Sequence, residues 1–286
     1  MSEDMKTDIH DDNYVAAVTI AKGAVRGRII RLGDALDIAL GCERYPTPVA
    51  RLLGEAILIS ALVARSLKFK GKLLVQAHGT NEGAVSMLAA ECTTEGDVRA
   101  YARFDPPSLE RILDKNKVPD AETLMGGGTF AMTIDQGANT DRYQGLSEIK
   151  GKSLGDCAEY YFQHSEQIPT ILHICVGEVH IPGKDPSWRG GGIMVQRIPQ
   201  DEARKDEETE WGVSSALMST LTDAELIDPD VPGPTLLYRM FAEQGVSMGE
   251  PKSIQAKCSC SRERLLSTIK TFEKSAQDDM FVDGKI

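Results

Sequence analysis

A chain of 286 residues with a 41% hydrophobic share is long enough for one large core with a smaller appendage, and apolar enough to fold. A formal net charge of −11 repels phosphate backbones and no run of Lys and Arg offsets it locally, which argues against nucleic acid as a partner. The longest uncharged apolar run, 56–64, sits between Glu55 and Arg65, far short of the roughly 20 residues a membrane helix takes, and the polar, acidic start at 1–12 reads as no leader; a cytoplasmic protein away from membranes is expected.

In chain order, 14–20 and 25–31 are β-rich runs separated by Ala21-Lys22-Gly23, which predicts a hairpin. Thr47 followed by Pro48 reads as the N-cap and first residue of a helix to about 67, apolar on nearly every face and so expected inside the core. Segments 73–78, 84–91 and 98–104, with turn residues between them, predict an antiparallel meander. A proline-containing connection then leads to a strand pair, 129–134 and 142–147. A helix over 153–166 places Leu154, Cys157, Tyr161 and Phe162 on one face, and strands at 171–178 and 192–198 close the region. The fold class is α+β, with an N-terminal core domain, 1–199, of antiparallel sheet and packed helices.

Composition changes after 199, since residues 200–210 hold six acidic and two basic side chains and no apolar period. Helical stretches at 211–221, 223–227 and 235–244 are split by Asp228-Pro229-Asp230-Val231-Pro232-Gly233-Pro234, which cannot continue a helix. Residues 200–251 are therefore expected to be an acidic, metastable helical linker. The last region, 252–286, carries Cys258 and Cys260 and a helix over 261–272.

Six cysteines in a reducing compartment are buried, metal-bound or redox-sensing more often than structural disulfides. Cys42 and Cys92 read as ordinary buried thiols. Cys157 and His164 share a helix face but stand two turns apart, too far for a nucleophile pair; His173 and Cys175 share a strand face without a further ligand. Gly151-Lys152-Ser153 mimics the end of a phosphate loop, yet Leu146 stands where that loop needs glycine. The glycine triplets at 126–128 and 190–192 read as turns and close backbone contacts. No arrangement of nucleophile, acid and base emerges, and the chain is not read as an enzyme.

Tyr45-Pro46-Thr47-Pro48-Val49, Leu52-Leu53-Gly54-Glu55, Leu67-Lys68-Phe69, Arg142-Tyr143-Gln144-Gly145, Tyr161-Phe162 with Ser165-Glu166-Gln167-Ile168-Pro169-Thr170, Gly191-Gly192 with Gln196, and Cys258-Ser259-Cys260-Ser261 follow one another in that order. Together they resemble the heat shock protein 33 family of redox-regulated chaperones, over about 14–272. The resemblance implies an ATP-independent holdase that binds unfolding or misfolded client proteins under oxidative stress and prevents their aggregation. It implies that Cys258 and Cys260 are zinc ligands and a redox-active disulfide pair, that oxidation releases zinc and unfolds the linker, and that the activated form is a homodimer. One departure stands out: no cysteine or histidine follows Cys260, so two of four zinc ligands are absent and the C-terminal zinc module reads as truncated. A thiol-disulfide oxidoreductase using Cys258 and Cys260 is the alternative.

Overall fold

Two β-sheets hold one long helix between them. The computed structural model describes residues 12–41, 45–67, 70–137, 142–180, 182–183, 185–197, 207–257 and 262–279. The hairpin forms as expected from β1 (Tyr14–Ile20) and β2 (Val25–Leu32), joined by a tight turn in which Ala21 and Lys22 take positive φ of 53°. A helix that periodicity alone did not reveal, α1 (Asp34–Gly41), follows. Its start is capped from a distance, because the Asn13 carboxamide oxygen accepts from the Gly33 and Ala35 amides at 3.0 and 2.9 Å.

The expected apolar helix is α2 (Thr47–Ala64), with one correction at each end. Thr47 is the first helical residue and not the cap; Pro46 occupies the cap position without a side-chain hydrogen bond, and the helix stops at Ala64. By length and apolarity α2 would pass for a membrane span, yet most of it is buried here. Residues Leu53, Ile57, Leu58 and Leu62 are fully enclosed. Each such side chain contributes about 1.5–3 kcal/mol of burial.

The meander β3 (Lys72–Gly79), β4 (Val85–Thr93) and β5 (Asp97–Phe104) is antiparallel as expected. The connection after it is not a plain loop but holds α3 (Pro106–Lys115) and α4 (Ala121–Met125), whose N-caps Asp105 and Asp120 each accept from the amide three residues on. Strands β6 (Gly128–Asp135) and β7 (Tyr143–Glu148) pair with each other, and β6 also pairs with β3. Ser153 caps α5 (Leu154–His164) through a reciprocal capping box with Asp156, so it precedes the helix it was expected to begin. Strands β8 (Thr170–Val179) and β9 (Ser187–Arg197) complete the part before the acidic segment, and β9 lies against β2.

Beyond 206 the chain forms α6 (Glu207–Met218), α7 (Asp223–Ile227) and α8 (Gly233–Phe241), then the short strands β10 (Val246–Met248), β11 (Lys252–Ser253) and β12 (Gln255–Ala256). The first sheet runs β10-β1-β2-β9-β8 with β11 also on β1; the second runs β12-β5-β4-β3-β6-β7. Among the described residues every pairing is antiparallel except β12 with β5; with β10 and β11 on β1 and β12 on β5, residues 246–256 strap the edges of both sheets. The segment set apart by composition thus packs on the region before it, and backbone contacts group Met1–Ala256 as one unit. Lys257–Ile286 is a second unit, in which α9 (Arg262–Ile269) and α10 (Lys274–Asp279) are described.

Candidate functional site

The strands of the first sheet have two apolar faces, because Val15, Ile30, Leu32 and Met194 turn inward toward α2 while Tyr14, Val18, Ile20, Val25, Ile29, Ile193 and Val195 turn outward. A strand buried on both faces needs a cover on each. The outward set is covered by Met218, Leu221, Leu226, Leu236, Leu237 and Phe241, all from α6 to α8 or the turns between them. Exposed together, those outward side chains would form an apolar patch of the kind that marks a protein interaction surface.

The cover is fastened by polar groups. Arg31 of β2, only 1% exposed, lies on this outward face among apolar neighbours. Its Nη1 donates to the carbonyls of Glu225 and Leu226 at 3.2 and 2.7 Å, and its Nη2 to that of Asp228 at 2.6 Å. Arg189 of β9 adds a bond from Nε to the Ile227 carbonyl at 3.1 Å, and Asp12 pairs with both arginines. Consecutive carbonyls at the C-terminal end of α7, which have no helical partner of their own, are thereby taken up by two cations. Burial lowers the pKa of Arg31 from its ordinary value, and the nearby Tyr14 and Asp228 oppose that. At the other end of α7, a capping box joins Thr222 and Glu225, and His173 of β8 meets Asp223 through Nε2 at 2.8 Å.

Close approach of this cover depends on two glycines. A Cβ on Gly191 would stand 2.1 Å from the Leu226 carbonyl oxygen, and one on Gly233 would stand 2.1 Å from the Tyr14 hydroxyl. That hydroxyl is buried without a hydrogen-bond partner, and burial pushes its pKa up to about 12. The interface therefore combines a large apolar contact with polar burial that is only partly compensated, a combination that lowers the free energy needed to open it.

A cavity of about 1000 Å³ lies beside β8, between the start of α2, the α3–α4 region, the start of α5 and Asp223. Glu55 lines it and accepts from the Leu154 amide at 2.7 Å. Burial, followed by the neighbouring carboxylates, pushes Glu55 up to about 8 against the hydrogen bond from Leu154.

The scattered cysteines behave as packing residues. Burial pushes Cys92 and Cys175 up to about 12 and Cys157 up to about 11, so all three stay protonated at neutral pH and are poor nucleophiles. Cys157 is directed to the Lys150 and Ser153 carbonyls while His164 binds the Tyr160 carbonyl, so the two do not meet. Among the described residues no group of three or more His, Cys, Asp and Glu side chains could hold a metal. Cys42, Cys258 and Cys260 lie outside the described residues. Within 257–286 the sequence offers Cys258 and Cys260 as its only thiol or imidazole donors, half of a four-ligand zinc shell, so those residues alone do not fit a closed zinc site.

Sequence reasoning missed Arg31, Arg189, Tyr14 and Gly233. The one signal in the sequence is Arg31 itself, a charge on the face of a strand whose other members are apolar.

The family profile of the Hsp33 protein matches residues 13–286. The chain belongs to the Hsp33 family. It is 44% identical to the 33 kDa chaperonin of Caulobacter vibrioides over 276 residues, covering 96% of this chain and 90% of that one. It is 34% identical to the 33 kDa chaperonin of Pseudomonas fluorescens over 267 residues, covering 92% and 82%, and 31% identical to that of Escherichia coli over 264 residues. The fold matches the crystal structure of the 33 kDa chaperonin of Thermotoga maritima with a TM-score of 0.74 at 22% identity, covering 94% of this chain and 88% of that one. The chain is accordingly a chaperone of the Hsp33 family rather than an enzyme.

Proposed function

We propose that this chaperone is an ATP-independent holdase: it binds unfolding proteins under oxidative stress through apolar surface that α6 to α8 cover at rest. The observation that carries this reading is the outward face of the first sheet, largely apolar and closed by a cover fastened through main-chain carbonyls to Arg31 and Arg189. Carbonyl fastening ties the cover to the helical state of α7, since melting that short helix moves the acceptors away from both cations.

The switch is assigned to Cys258 and Cys260. Hydrogen peroxide takes two electrons and two protons from a pair of thiols, leaving a disulfide and two waters. The strap 246–256 ends two residues before Cys258 and begins five residues after the end of α8, so a change at the cysteines reaches the cover along a short covalent path. No step is assigned to zinc, because these two thiolates fill half of its shell. Opening would leave an apolar face for a client or for a second copy, and a homodimer of the opened form is part of the proposal.

The test is light scattering from a thermally unfolding client, with and without peroxide, on the wild type and on a Cys258→Ser, Cys260→Ser double variant. Stoichiometric suppression of aggregation that rises with peroxide in the wild type alone is expected. Catalytic reduction of a disulfide substrate, without stoichiometric suppression, would replace this reading with the oxidoreductase.

A further inference from the structure

Strand β8 ends its sheet, with β9 on one side and no strand on the other among the described residues. The register decides which of its backbone groups face outward. The Arg197 amide donates to the Pro169 carbonyl at 3.0 Å, which makes Thr170 and Gln196 a pair that exchanges no hydrogen bonds of its own. By alternation Leu172, Ile174 and Val176 share that setting, so their N–H and C=O groups point away from β9. Side chains of α5 take the first of these positions: Gln163 donates to the Thr170 carbonyl at 3.1 Å and Glu159 accepts from the Leu172 amide at 3.1 Å. Further along, no described residue takes the outward groups of Ile174 and Val176.

These open groups border the cavity beside β8, with α2 on one flank and Asp223 of α7 on the other. Leu52, Leu113 and Leu124 give it apolar walls, and Glu55, with its pKa near 8, adds little charge at neutral pH. A wall that offers donors and acceptors every second residue, about 6.8 Å apart, beside a cavity with both apolar and polar walls is complementary to extended main chain. Such a chain completes the ladder with its backbone while alternate side chains enter the cavity. A compact small molecule lacks the repeat, and the ionic side chains of the lining, Arg51, Lys117 and Lys152 against Asp120, Asp156 and Asp223, balance in charge and offer no basic track for a phosphate backbone.

We propose that the outer edge of β8 between Leu172 and Val176 captures an extended segment of an unfolding protein as an added strand, with its side chains in the cavity against α2. The source of the segment rests on the holdase reading; the edge and the cavity do not. Recognition through main chain suits a chaperone, because every unfolded sequence carries the same backbone. The pairing of His173 with Asp223 at 2.8 Å places α7 over one flank, so lifting the cover widens the approach to this edge.

The experiment uses the full chain and two fluorescein-labelled octapeptides of alternating valine and threonine, one unmodified and one N-methylated at every second residue. N-methylation removes the ladder donors on one edge and keeps every side chain. Anisotropy titration is expected to give about tenfold weaker binding of the methylated peptide. Equal affinity of the two overturns the proposal. A diazirine-bearing version of the unmodified peptide is expected to crosslink to residues 172–176 or 113–118. Crosslinks confined to another edge strand, such as β7, where Tyr143 and Leu146 are 51% and 58% exposed, overturn the location. An aggregation assay on the same preparation separates the two ideas, since suppression without discrimination between the peptides leaves the holdase standing and removes the strand site.

Discussion

Arg31 on β2 and Leu226 at the end of α7 are 195 positions apart in sequence and joined by a 2.7 Å hydrogen bond from guanidinium Nη1 to carbonyl oxygen. Hydrogen bonds to a charged donor contribute about 1.5–3 kcal/mol each, and Arg31 makes three to this segment. Replacing it with Met keeps the volume apolar while leaving three carbonyls without their donor. Arg31→Met is expected to weaken docking of α7 by about 2–4 kcal/mol. Amide exchange over 222–241 should rise while exchange in α2 stays slow; unchanged exchange over 222–241 would falsify the clasp.

Tyr14 sits in the same interface with the opposite sign. Its hydroxyl is buried and unpartnered, so removing it relieves a desolvation cost without breaking a bond. Tyr14→Phe is expected to raise the stability of the docked cover by about 1 kcal/mol and to raise the peroxide needed for activation. A lower melting temperature, or easier activation, would show that the hydroxyl has a partner in solution.

At Gly191 the constraint is steric. An added methyl would lie 2.1 Å from a backbone oxygen, which cannot rotate away as a side chain can. Gly191→Ala should displace α7 at a cost of about 2–4 kcal/mol and shift Trp211, which packs against the same cluster, toward solvent. Tryptophan emission moving to longer wavelength at unchanged far-ultraviolet circular dichroism is the expected signature.

Stability should also depend on pH through Glu55. Its folded pKa of about 8 lies above the ordinary 4.5, so between those values the folded state holds a proton that the unfolded chain has released. The contribution is fully present below the ordinary value and lost as pH rises through the folded one. Denaturation midpoints measured from about pH 5 to about pH 8.5 should fall less steeply in Glu55→Gln than in the wild type. Parallel slopes would mean that Glu55 titrates normally.

Metal content gives a fifth check. Two thiolates at Cys258 and Cys260 leave half a tetrahedral shell to water or to another molecule, so zinc on residues 1–286 should be lost on dialysis. One zinc per chain retained after dialysis against a chelator would mean that other donors complete the shell.

Much of this was legible in the residues. The β-rich runs 14–20 and 25–31 about Ala21-Lys22-Gly23 predict the hairpin, and the all-round apolar stretch from 47 to about 67 predicts a core helix, which forms over 47–64, because both signals are local. Helix α1 was missed because its cap, the Asn13 side chain, lies across the hairpin, and α3 and α4 because prolines at 106, 107 and 119 read as loop although they stand at or before helix starts.

The sequence by itself determined the α+β class, the compositional break after 199 and, through ordered motifs, the family. Tertiary structure alone decided that 207–241 covers the outward face of the first sheet, that Arg31 finds its acceptors on α7, and that the outward backbone of β8 opens on a cavity. Those relationships join residues far apart in the chain by hydrogen bonds to backbone carbonyls and by the alternation of a strand edge. Apart from the charge of Arg31 itself, neither leaves a mark in the sequence, since every residue carries the same carbonyl, and which edge stays open depends on which strand does not arrive.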